Sequence, residues 1–147
     1  KNITIHVDEH RGALVFQAKK EGSSPLPEIQ DLKTQIRDLG IYWSELSQKV
    51  SKEVSLLSSH DNISIYGAGF YGAFIRTCFE DKSLIKTIYD NNPYLVGKSI
   101  NGIPVKSSAE FDDNTTHLFI GLNPASAKRI IKSMPNISDS NTSLIYL

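Results

Sequence analysis

Ile63-Ser-Ile-Tyr-Gly-Ala-Gly-Phe-Tyr-Gly72 is the segment on which the rest of the chain hangs. Ile63 to Tyr66 is a short β-rich run, and glycines at 67, 69 and 72 follow in the G-x-G-x-x-G spacing. Phe74, Ile75, Cys78 and Phe79 then fall on one helical face. Each glycine of such a loop has a physical task. Gly67 permits a sharp strand-to-helix turn, Gly69 lets a ligand approach bare backbone, and Gly72 lets the helix pack close to the sheet. The helix N-terminus offers unpaired N–H groups and a partial positive charge to a phosphate. A second β-like run, Leu84 to Tyr89, ends in Asp90, eighteen residues past Gly72. That is where a dinucleotide-binding unit keeps the acid that accepts hydrogen bonds from a ribose.

Two readings of this loop stay open. Gly67, Ala68, Gly69 and Gly72 either hold a phosphate or form a βα turn kept for packing. Asp90 either meets a ribose or caps the turn through Asn91-Asn92-Pro93.

Upstream, Ile3, Ile5 and Val7 alternate with Asn2, Thr4 and His6, the period of a half-buried strand. Asp8 to Gly12 reads as a polar turn and Ala13 to Ala18 as the returning strand of a β-hairpin. In that turn His10 and Arg11 pair an imidazole with a guanidinium, suited to a diphosphate; the plain alternative is an exposed polar tip. After a Pro/Gly/Ser-rich connector, Pro27 opens a helix with Ile29, Leu32, Ile36 and Leu39 on one stripe, and Gly40 suits its C′ position. A second helix is expected from about Tyr42 to Leu57, with Trp43, Leu46, Val50, Val54 and Leu57 on its apolar face.

Downstream, Asn101-Gly102 is a tight turn before a short strand, Ile103 to Val105. Ser107 or Ser108 caps a short helix, His117 to Gly121 is an apolar strand, Ala125 to Ser133 a helix, and Ser143 to Leu147 a last strand. Asn123 follows a strand's C-terminal end, the side on which open α/β sheets bind ligands. Strands alternating with helices define an α/β, Rossmann-like doubly wound, mainly parallel sheet. The expected division is residues 1–60, hairpin and two helices packing on the sheet or on something upstream, and residues 61–147, the Rossmann-like part.

The chain has 147 residues, with sixteen Lys and Arg balancing sixteen Asp and Glu. Neutrality without a basic tract argues against a nucleic-acid partner. Cys78 is the sole cysteine, so no internal disulfide is expected, and the histidines lack metal-ligand spacing. No apolar run spans a bilayer and no signal pattern is present, so a cytoplasmic protein is expected, with no membrane partner. The chain opens at Lys1 without a methionine, already inside a strand, which suggests a piece of a longer protein.

The order of several segments carries a resemblance. "IYGAGFYG", then "YDNNPYLVGKSINGIPV", preceded by His10-Arg-Gly-Ala-Leu14 and followed by the Leu122-Asn123 turn, is similar to the C-terminal, Rossmann-like domain of the sugar C-methyltransferase family. The resemblance implies a domain that helps form a nucleotide-linked sugar site beside a missing upstream methyltransferase domain, with no chemistry of its own. It implies S-adenosylmethionine as cofactor of the parent protein and none bound by this part. Two other functions fit the residues: a standalone nucleotide-sugar-binding module, and an NAD-dependent oxidoreductase domain. A pure interaction domain packing through the Trp43 helix is a further possibility.

Overall fold

The structure is a computed structural model that describes residues 3–6, 15–18 and 29–147, with side chains described from Lys33 onward. The chain divides into two compact units, Lys1–Asp38 and Leu39–Leu147. In the first, β1 (Ile3–His6) and β2 (Val15–Ala18) pair antiparallel, Ile3 opposite Ala18 and His6 opposite Val15. The hairpin expected from the alternation is there; its turn, with His10 and Arg11, lies outside the described residues.

The second unit is built on a six-stranded sheet. Its strands are β3 (Ile63–Tyr66), β4 (Ile85–Tyr89), β5 (Ser99–Ile100), β6 (Ile103–Lys106), β7 (His117–Ile120) and β8 (Ser143–Tyr146). They lie in the order β5-β6-β4-β3-β7-β8, and every pairing is parallel except that of β5 with β6. From β3 the chain steps outward through β4 to β6, then returns to the other side of β3 for β7 and β8. This is the α/β Rossmann-like doubly wound order.

A parallel sheet must be covered on both faces, so its strands read as nearly unbroken apolar runs. All four residues of β3 are buried, and the pleat divides them between two cores. Ile63 and Ile65 join Ile75, Phe79 and Phe119 on one face, with Val50 packed among them. Tyr66 joins Leu118, Ile120, Ala127, Ile131 and Ile137 on the other. Helices α1 (Ile29–Ser55) and α2 (Phe70–Thr77) supply Val50 and Ile75 to the first core. Helices α3 (Pro124–Lys132) and α4 (Pro135–Ser138) supply Ala127, Ile131 and Ile137 to the second.

Two local differences from the sequence reading have physical causes, and one expected turn proves to join a strand pair. The two expected helices are one: α1 runs through Gly40 to Ser55, and Gly40 lies in open space without the positive φ that a C′ cap adopts. Among the described side chains the apolar stripe is used from Trp43 onward, since Ile36, Leu39 and Ile41 remain exposed while Trp43 is half-buried and Leu46 and Val50 are buried. Asn101-Gly102, both at positive φ, does make a tight turn, and it joins β5 to β6 as a hairpin.

Because Gly40 is a mid-helix glycine with room for a methyl group, Gly40→Ala should stabilise the protein by up to about 1 kcal/mol in urea unfolding. A loss of stability on this substitution would mean that the helix ends there.

Candidate functional site

The strand order puts a topological switch point between β3 and β7, at their C-terminal ends, because the connection after β3 covers one face and that after β7 the other. Open α/β sheets take their ligands at such a switch point. Gly67 and Gly121 are the first residues past the two strands. The ladder continues through them: Gly67 N–H donates to the Tyr89 carbonyl at 2.7 Å, and Gly121 N–H to that of Tyr66 at 2.7 Å.

Gly67 has φ +100°, and a Cβ there would stand 2.5 Å from the Gly121 carbonyl oxygen. A Cβ on Gly72 would overlap the carbonyl of Gly67. One on Gly121 would lie 2.6 Å from the Gly72 Cα. Three backbones therefore meet with no space for a side chain. Gly121 was not among the residues expected at the site; its position directly after the apolar run 117–120 is the signal that could have found it.

Gly69 differs from these three. It is the N-cap of α2, with φ −79°, and a Cβ there would meet nothing within 4 Å. No side chain caps this helix end. Neither backbone conformation nor packing requires glycine at 69.

Asp90 stands at the end of β4 and reaches the loop. Its Oδ2 accepts from Ala68 N–H at 2.6 Å and its Oδ1 from Asn92 N–H at 2.8 Å. One carboxylate thus fixes both the glycine turn and the turn that follows its own strand. Asn92 Oδ1 in turn accepts from Tyr94 N–H at 3.0 Å. Asn91 is tied down on the other side: its Oδ1 accepts from the Ser108 hydroxyl at 2.7 Å and amide at 3.1 Å, while its Nδ2 donates to the Tyr66 hydroxyl at 3.3 Å. Burial, and then the charge of Asp90, push the Tyr66 phenol above its ordinary pKa, so it stays a neutral hydroxyl.

Of the residues named from sequence, Gly67, Ala68, Gly69, Gly72 and Asp90 come together at this one place. Asn123 begins the element after β7 and is exposed; its Oδ1 caps α3 by accepting from Ala125 N–H at 3.0 Å, with Pro124 at the first helical position. Leu122 and Asn123 are therefore a helix start. His10 and Arg11 lie outside the described residues. Beyond the loop, Phe70 and Tyr71 form an aromatic group with Trp43 and Phe74: Trp43 meets Phe70 at 5.2 Å and Phe74 at 4.9 Å between ring centroids, and Phe70 is 69% exposed. Among the described residues no group of His, Cys, Asp and Glu could hold a metal, and no helix is long and apolar enough to cross a membrane.

No protein-family model matches the chain, and no curated protein does. Two similar solved structures are both of RSP, a Rex-family repressor. The first has a TM-score of 0.46 at 17% identity over 59% of this chain. The second, of RSP in complex with β-NADH, has a TM-score of 0.42 at 21% identity over 78% of this chain. The chain spans 52% of the length of the first and 68% of that of the second.

These findings overturn the resemblance to sugar C-methyltransferases. No such family matches, the similar structures are of a repressor, and the ligand named with one is β-NADH rather than S-adenosylmethionine. The expected cofactor of a parent protein, S-adenosylmethionine, and the upstream methyltransferase domain as partner fall with it. The physical reason lies in what the matching residues do. Asp90 to Tyr94 is a pair of Asx-type turns, Asn101-Gly102 is a hairpin turn, and Leu122-Asn123 is a helix start. Each is local turn chemistry, which unrelated proteins of one fold share.

The glycine contacts separate the loop into two kinds of position. Gly72→Ala and Gly121→Ala should each cost about 1–3 kcal/mol or more, because backbone must move to admit the methyl group. Gly69→Ala should stay within about 0.5 kcal/mol of the parent in the same denaturant titration. Equal losses at all three would show that Gly69 is held by packing as well.

Proposed function

We propose that the Leu39–Leu147 unit is a nucleotide-binding module that takes the diphosphate of a nicotinamide dinucleotide at the glycine loop and a ribose at Asp90. The observation that supports this most is Gly69. A loop kept only for packing needs glycine at 67 and 72, but has no use for one at 69, where the backbone is ordinary and the space above it is open. A loop on which a pyrophosphate must lie needs that surface bare. The amides of the first α2 turn then point at the anion, and the helix dipole adds about 0.3–1 kcal/mol.

In this reading Asp90 has two tasks. Each carboxylate oxygen already accepts one backbone N–H and keeps a lone pair for a ribose hydroxyl. The negative charge beside the loop favours the uncharged diol of NAD(H) over a 2′-phosphate. Phe70, exposed directly after Gly69, offers an apolar wall next to the phosphates. Dehydrogenase chemistry is not part of the proposal, since it requires an acid–base pair beside the nicotinamide. With this ligand the module reports or holds a nucleotide of the cytoplasm, the compartment expected from sequence. A nucleotide-linked sugar shares the diphosphate and ribose, so it forms the second arm of the test.

Calorimetric titration with NADH, NADPH, UDP-glucose and dTDP-glucose should give saturable binding of NADH, at least tenfold weaker for NADPH. Gly69→Ala, which leaves the fold intact, should weaken NADH at least tenfold, about 1.4 kcal/mol. Stronger binding of either sugar nucleotide would make the module a nucleotide-sugar binder. Heat of binding unchanged by Gly69→Ala, or absent for all four compounds, would remove the proposal.

A further inference from the structure

A second concavity lies at the other end of the sheet. It measures ≈ 410 Å³ and opens between the last turn of α2, the start of β4 and the β5–β6 hairpin. Its wall carries Arg76, Lys82 and Lys86, with Ser83 between them and Ile85 and Ile103 as apolar floor. Among the described residues no acidic one lines it. In a chain of zero formal charge, three cations facing one hollow are a local departure that costs mutual repulsion unless an anion sits among them.

Two details make this more than a crowded surface. The first is the register of β4 on β3. Ile85 pairs with Ile63 but Thr87 with Ser64, so Lys86 is an extra residue in a parallel ladder. Such bulges re-aim a side chain, and here the one re-aimed is a lining lysine. Lys86 is then steadied by its own bond, Nζ donating to the Ser83 carbonyl at 3.0 Å, which leaves two of its three donors unspent. The second is how the charges are left. The neighbouring carboxylate, Asp81, lies outside the lining; it caps the short turn at Lys82–Leu84, accepting from Ser83 N–H at 2.9 Å. It also attracts Lys86 electrostatically. Among the described residues Arg76 and Lys82 have no ion-pair partner, although Arg76 is half-buried.

From these three cations, one of them presented by a bulge, we infer that the hollow between α2 and the β5–β6 hairpin is a binding site for a small organic di- or trianion. A volume near 410 Å³ admits a compact metabolite rather than a dinucleotide. Arg76 offers a fork to a carboxylate or phosphate, and Lys82 and Lys86 act as point charges. The floor of Ile85 and Ile103 suits a short carbon skeleton. The site stands at the N-terminal ends of β4 and β6, whereas the glycine loop stands at the C-terminal end of β3, so the two can be filled together. It does not depend on the proposed nucleotide.

Carboxylate and phosphate esters share the chemistry the trio recognises, so citrate and fructose 1,6-bisphosphate are the two probes. Amide NMR titrations at 0.15 M NaCl, with ionic strength matched, should give saturable shifts at residues 82–86 and 101–103 with Kd below about 1 mM for at least one probe. Arg76→Gln combined with Lys86→Gln should weaken that binding at least tenfold with the amide spectrum otherwise preserved. Gly69→Ala should leave it unchanged, which separates it from any anion held by the glycine loop. Shifts that rise linearly for both probes, that occur elsewhere, or that persist in the double variant would overturn the site.

Discussion

A contact between three stretches of backbone holds the second unit together at the C-terminal ends of β3 and β7. The carbonyl of Gly67 occupies the place where a Cβ of Gly72 would be, and the Gly121 backbone closes against both. This brings α2 down onto the turn after β3 and brings β7 alongside. The ladder bonds from Gly67 to Tyr89 and from Gly121 to Tyr66 then lock the ends of β4, β3 and β7 in one line. A single methyl group at 67, 72 or 121 has nowhere to go. Hydrophobic burial of Ile63, Ile65 and Phe119 drives the sheet together, yet it is non-directional and does not choose this approach.

From that contact the candidate site follows with few further parts. Asp90, arriving at the end of β4, accepts from Ala68 N–H and so braces the loop from the side. Asn91 braces the next turn through Ser108 and the buried hydroxyl of Tyr66. The outcome is a stiff loop with an uncapped helix end and one bare position, Gly69. Stiffness matters because a preorganised loop loses little entropy when a phosphate settles on it.

Much of this was legible from local pattern. Ile63-Ser-Ile-Tyr is buried on both faces and reads as such, and three glycines at fixed spacing before an amphipathic run leave few other folds. Asp90 was found by distance along the chain. What was not legible depends on non-local facts. Gly121 matters because it meets Gly72, a contact that its place after the apolar run 117–120 hints at but does not specify. A glycine in a helix interior, such as Gly40, and one just past a helix end look alike until φ is known. Of the segments that carry the resemblance to a methyltransferase domain, the glycine loop belongs to the fold and His10 to Leu14 lie outside the described residues, while Asp90 to Tyr94, Asn101-Gly102 and Leu122-Asn123 are capping and turn residues. Turn chemistry is shared by unrelated proteins of one fold, so it carries fold and not function.

On the proposed reading, Gly69 and the first turn of α2 receive a nucleotide diphosphate while Asp90 receives its ribose. Mapping amide shifts on addition of NADH tests this most directly. The largest changes should fall on Ala68 to Tyr71 and on Asp90 to Asn92, with β8 and the β5–β6 hairpin silent. Shifts absent from Gly69 and Phe70, or centred away from the ends of β3 and β7, would contradict it.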